Sequence, residues 1–165
     1  TTVPISPLGQ MPSALREGRA DAVVIWEPIS QDAVDAIGAD AIQFDGRGIY
    51  REVFGLNSTA AKLADPQTRR GIVAFVRSVI DASRALQRDP TEAKQLLVRY
   101  GGHSADQAER SWGHQNYPAG LVPALLDVLV KEEIWLAASS RREPRTRAEL
   151  SKLIDPTILE EALSL

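Results

Sequence analysis

Cysteine is absent from this chain. Disulfides, thiolate nucleophiles and cysteine-based zinc sites are therefore excluded, and a cysteine-free chain tolerates oxidising and reducing surroundings alike. Histidine is nearly absent. His103 and His114 stand eleven residues apart at the two ends of one predicted helix, without metal-ligand spacing. Both read as polar residues at helix ends, and neither a metal nor another cofactor is expected. Aromatic residues are scarce at 5%, and no apolar run reaches the roughly eighteen residues of a membrane span. An excess of one charge is missing too. The formal net charge of −3 gives no reason to expect nucleic acid or an anionic membrane as partner. No Gly-x-Ser-x-Gly, His-Glu-x-x-His or P-loop pattern occurs, and "GRG" at 46–48 is too short to cradle a phosphate.

What is present suits an ordinary domain. The 165 residues, 44% of them hydrophobic and 25% charged, can bury a core of their own. The most informative stretch is "GRADAVVIWEPIS", residues 18–30. Ala22, Val23, Val24 and Ile25 read as a strand covered on both faces, as in a parallel sheet between helices. Pro28 then ends the strand and opens the following helix. Trp26 and Glu27 fall at its carboxyl end, where open α/β sheets hold their ligands.

The same alternation runs through the first third. Residues 3–6, 21–26, 41–44 and 51–56 read as short strands, with helices near 11–17 and 30–37 closed by Gly18 and Gly38. Loops this short imply parallel strands with right-handed crossovers. Asn57 or Ser58 is the expected cap of the next helix. The remainder is helical: an apolar stripe from Ile72 to Leu86 at helical spacing, a helix over 91–100 opened by Asp89-Pro90, another over 104–112, one over 121–137 and a last one near 156–163. The division is an α/β segment over 1–57 and a helical segment over 58–165.

On this reading Ser6 and Pro7, Trp26 and Glu27, and Asp45 lie at carboxyl ends of parallel strands and converge on one rim of the sheet. A Trp wall, a carboxylate and small polar loops suit a small amphipathic or cationic solute. Asp45, Glu27 and Glu52 do not form the paired constellation of a hydrolase. The run Arg141, Arg142, Arg145 and Arg147 reads as a solvated connector, and Asn57-Ser58-Thr59 as a chance glycosylation triplet.

"MPSALREGRADAVVIWEPIS" resembles the stretch "aAL-x-x-G-x-(V/A)-DA-x-x-x-W-(E/D)-P" of nitrate/sulfonate/taurine-type solute-binding proteins of ABC transporters. "FGLNSTAAKLADPQTRRGIVAFVRSVIDASRALQRDPTEAKQLLVRYGG" resembles the section that follows it. The resemblance implies a periplasmic-binding-protein-like, type II clamshell lobe with parallel strands, followed by a helical carboxyl-terminal section. It implies a periplasmic or otherwise extracytoplasmic, membrane-associated component that hands a small organic solute to an ABC permease, and no catalysis. It places the Trp-acid pair, here Trp26 and Glu27, at the solute cleft. Members are about twice this length, so the chain corresponds to a carboxyl-terminal half, with an apolar surface expected where the other half packs. Two alternatives stay open: a ligand-sensing module of a signalling protein, and an enzyme resembling thiamine-pyrimidine synthases, which the lack of cysteine disfavours.

Overall fold

The computed structural model describes residues 2, 4–44, 46, 48–114 and 116–165. Nine α-helices occur among them: α1 (Met11–Arg16), α2 (Ile29–Ile37), α3 (Ala60–Ala64), α4 (Pro66–Arg88), α5 (Pro90–Tyr100), α6 (Ala105–Ser111), α7 (Leu125–Ser139), α8 (Arg147–Ser151) and α9 (Thr157–Leu163). Short 3₁₀ turns cover Leu8–Gln10, Gly38–Asp40 and Trp112–His114.

Local chemistry sets most of the helix ends. Asp65 and Asp89, each followed by a proline, accept from backbone N–H groups at the starts of α4 and α5. Asp65 takes Thr68 N at 2.7 Å, and Asp89 takes Thr91 N at 3.0 Å and Glu92 N at 3.1 Å. Capping boxes open α6 (Ser104 with Gln107) and α8 (Thr146 with Glu149). Thr59, rather than Asn57 or Ser58, caps α3, accepting from Lys62 N at 3.3 Å. Gly38 ends α2 at φ 70°, ψ −132°, a conformation that glycine adopts without strain.

The chain divides into two units, residues 1–45 with 85–117 and residues 46–84 with 118–165; α4 runs from the second into the first. In the first unit, α1 packs on α2, α2 on α6 and α5 on α6. Ala14, Ala33, Ala93 and Ala108 are buried there, one on each helix, and their small side chains let the helices approach closely. In the second unit, Val73 and Ile80 of α4 form a core cluster with Ile158 and Ala162 of α9, extended by Leu63 of α3.

The fold differs from the expected α/β clamshell lobe with parallel strands. No strand occurs among the described residues. The segments over 21–26, 41–44 and 51–56 run without helical structure, and no backbone hydrogen bond joins one to another. Several of their large apolar side chains stand in solvent, Val24 at 94% and Phe44 at 91% of full exposure, while Val23, Ile25 and Val53 are half-buried. The physical reason is that a strand needs a neighbour's N–H and C=O groups. Runs of β-branched and aromatic residues favour extended backbone but supply no partner. The sheet rim that was to gather the candidate site residues is therefore absent. Val3, in the first of the four predicted strands, lies outside the described residues.

Candidate carboxylate–imidazole site

Trp26 and Glu27 immediately precede α2, and their position follows from how that helix is held. The carbonyl of Trp26 accepts from Ser30 N at 3.1 Å and that of Pro28 from Asp32 N at 3.1 Å, so the two residues lead directly into the first turn. Asp32 Oδ1 then accepts from Gln107 Nε2 of α6 at 2.7 Å, and Asp35 Oδ2 from Arg110 Nη2 of the same helix at 2.7 Å. These two contacts dock α2 on α6. The 3₁₀ turn Trp112–His114 continues α6, and at its end His114 meets Glu27, Nδ1 to Oε1 at 2.9 Å.

The pair is asymmetric. The Glu27 side chain is 9% exposed and that of His114 59%. Glu27 Oε2 is buried and has no hydrogen-bond partner among the described residues. Burying a carboxylate is costly unless its charge is paired, and His114 supplies the pairing on one oxygen only. Beside it, Trp26 is half exposed.

Of the residues read from the sequence, Trp26 and Glu27 adjoin this pair. Ser6 and Pro7 are not joined to it by any hydrogen bond among the described residues; they lie in the bend before Leu8–Gln10, where Pro7 O accepts from Gln10 N at 2.9 Å. Asp45 lies outside the described residues. His114, read as a helix-end residue of no consequence, is the one that sequence reasoning missed. It is 87 positions from Glu27, and nothing in either local stretch points to the other. His103 is partly buried, with Nδ1 also buried and without a partner among the described residues.

The first unit also holds an apolar cleft of about 390 Å³ lined chiefly by Leu86, Leu96, Leu97, Tyr100, Trp112 and Tyr117. The Trp112 and Tyr117 rings lie 5.6 Å apart between centroids, and Lys94 Nζ stands 5.8 Å from the Trp112 ring. Burial raises the Tyr117 phenol above its ordinary range. This cleft offers shape and apolar contact, with little polar lining to orient a solute.

In the second unit the arginine run is largely committed to structure. Glu133 of α7 is 3% exposed. Its Oε2 accepts from Arg142 Nη2 at 2.9 Å and Arg145 Nη2 at 2.9 Å, and its Oε1 from Arg145 N at 2.8 Å and from Arg142 Nη1. Arg142 first, then Arg145, holds this carboxyl well below the usual range. Arg147 pairs with Asp127 at 2.6 Å. Among the described residues no three His, Asp or Glu side chains are grouped to hold a metal ion, and no helix is long and apolar enough to cross a membrane.

Compared with protein-family profiles, curated proteins and solved structures, the chain matches none.

Proposed function

We propose that this chain binds a small organic solute of sulfonate, taurine or nitrogen-heterocycle type, as the extracytoplasmic solute-binding component of an ABC importer. One observation carries the binding reading: a carboxylate buried to 9% exposure, paired on one oxygen only, beside a half-exposed tryptophan. Structural carboxylates usually have both oxygens satisfied, as Glu133 does; Glu27 keeps one oxygen without a partner among the described residues. The importer context rests on the resemblance of residues 11–30 and 54–102, not on a parallel-sheet lobe. No chemical step is assigned, and the role is capture and release.

Calorimetry with taurine, ethanesulfonate and a pyrimidine, on the chain and on Glu27→Gln, tests this. A buried, hydrogen-bonded charge is worth ~2–5 kcal/mol, so the substitution should weaken the bound member roughly thirtyfold or more. A surface carboxylate would change affinity no more than about fivefold, since exposed pairs are worth only ~0–1 kcal/mol. Saturable heat lost in the variant supports the reading. An unaltered affinity, or no heat with any of the three, refutes it.

A further inference from the structure

We infer that the group this site presents to solute is the bare Nε2 of His114, with Glu27 as the positioning residue behind it, so that the site selects solutes offering an amidinium, an ammonium or a ring N–H. The inference rests on the solute-binding reading above and names its ligand class.

The geometry supplies the steps. An ionised carboxylate can only accept hydrogen bonds. The 2.9 Å contact between Glu27 Oε1 and His114 Nδ1 therefore places the ring proton on Nδ1. A neutral imidazole carries one proton, so Nε2 keeps its lone pair and acts as an acceptor. Exposure then decides which partner meets solute. Both Glu27 oxygens are shielded, one by His114 and the other by burial, whereas the imidazole is 59% exposed. A solute reaches the ring first. The carboxylate fixes the orientation and tautomer of the ring, and it repels anions that approach it.

The cations of the adjoining helices α5 and α6 that carry ion pairs are already engaged. Arg110 is held between Asp35 and Asp106, both at 2.7 Å, and Lys94 is held by Glu109 at 2.8 Å. Sulfonate and carboxylate groups have no donor on His114 in this tautomer. Donor groups find an acceptor there.

The test uses two probes of one shape and opposite hydrogen-bonding character, benzamidine and benzoate. Each is titrated into the chain at about pH 8, above the ordinary histidine range, while the His114 ring nitrogens are followed by long-range ¹H–¹⁵N spectra. The spectrum without probe should show Nδ1 protonated and Nε2 bare. Glu27→Gln should release the ring to the Nε2–H tautomer, a change that a merely structural role for Glu27 would not produce. Benzamidine should shift Nε2 saturably and benzoate should not. His114→Ala, with its fold checked by circular dichroism because it unpairs the Glu27 carboxylate, should weaken benzamidine by about tenfold or more, the value of a hydrogen bond to a charged group. An Nε2–H tautomer in the unaltered chain overturns the inference. So does benzoate binding as well as benzamidine, or benzamidine binding unchanged in His114→Ala. In those cases the solute-binding reading survives if taurine, ethanesulfonate or the pyrimidine still gives Glu27-dependent heat. Silence from both probes overturns the inference, and silence from the calorimetric panel as well removes the reading beneath it.

Discussion

Two glutamates with shielded side chains, Glu133 and Glu27, show how differently one side chain can be used. Glu133 has both oxygens taken by guanidinium and backbone donors, and Glu27 has one oxygen held by a half-exposed imidazole. The first is a clasp. It ties the end of α7 to residues 142–145, across a turn in which Arg141 takes the left-handed conformation (φ 52°) and Arg142 N returns to Ala137 O at 3.0 Å. Because the folded-state pKa of Glu133 is depressed, its contribution is complete above the ordinary value of 4.5 and is lost as pH falls below it. Glu133→Gln should therefore lower the melting temperature at neutral pH and flatten the loss of stability on acidification. Thermal melts across pH should show a larger drop for Glu133→Gln than for Asp127→Asn, which breaks only the exposed pair with Arg147. Equal drops would mean that the clasp contributes no more than a surface pair.

At the scale of elements, the helices are begun by residues that the sequence displays openly. Asp-Pro at 65–66, 89–90 and 155–156 places an acceptor and a ready-set φ at the starts of α4, α5 and α9. Hydrogen bonds from Thr68 and Thr157 hold Asp65 and Asp155 below the ordinary carboxyl range. The capping box of α8 follows directly on the Glu133 clasp, with Arg145 N bonded to Glu133 and Thr146 N to Glu149. Thr146→Ala removes the acceptor for Glu149 N and should cost about 1 kcal/mol, measured by chemical denaturation. Retention of full stability would show that Glu149 alone suffices. α7 illustrates the limit of reading ends locally. The apolar pattern from Leu121 suggests an earlier start, but the helix begins at Leu125, beyond Pro123, after a turn in which Leu125 N bonds Val122 O at 2.9 Å.

At the scale of the whole molecule, the dominant feature is apolar surface on segments that are neither helical nor paired in a sheet among the described residues. Val24, Ile42, Phe44, Ile49 and Phe54 are all at least 80% exposed, and the segments that carry them are joined by no backbone hydrogen bonds to one another. Such segments offer both free ladder positions and hydrophobic side chains, the combination that promotes association between chains. Light scattering should show concentration-dependent self-association, and Phe44→Lys should reduce it by adding charge where β-pairing would begin. Unchanged scattering in the variant, or a monomer at all concentrations, would show that these segments are solvated without consequence. The core cluster of Val73, Ile80, Ile158 and Ala162 is remote from that variable, and its integrity by circular dichroism serves as the control.

The sequence by itself determined where several of the helices begin and where α2 ends. Aspartates before prolines, threonine and serine capping boxes and Gly38 act on backbone groups a few residues away, so a single chain stretch contains the whole interaction. It also singled out Trp26 and Glu27, through a motif confined to twenty residues. Only the tertiary structure decided that the apolar runs over 21–26 and 41–44 form no sheet, because strand pairing depends on neighbours that no local pattern specifies. Only it brought His114 to Glu27, through two side-chain contacts that dock α2 on α6, and only it turned Arg142 and Arg145 from a solvated run into the clasp of a buried carboxylate. In each of these the deciding atoms lie turns or helices apart along the chain, and their meeting depends on how helices pack rather than on spacing.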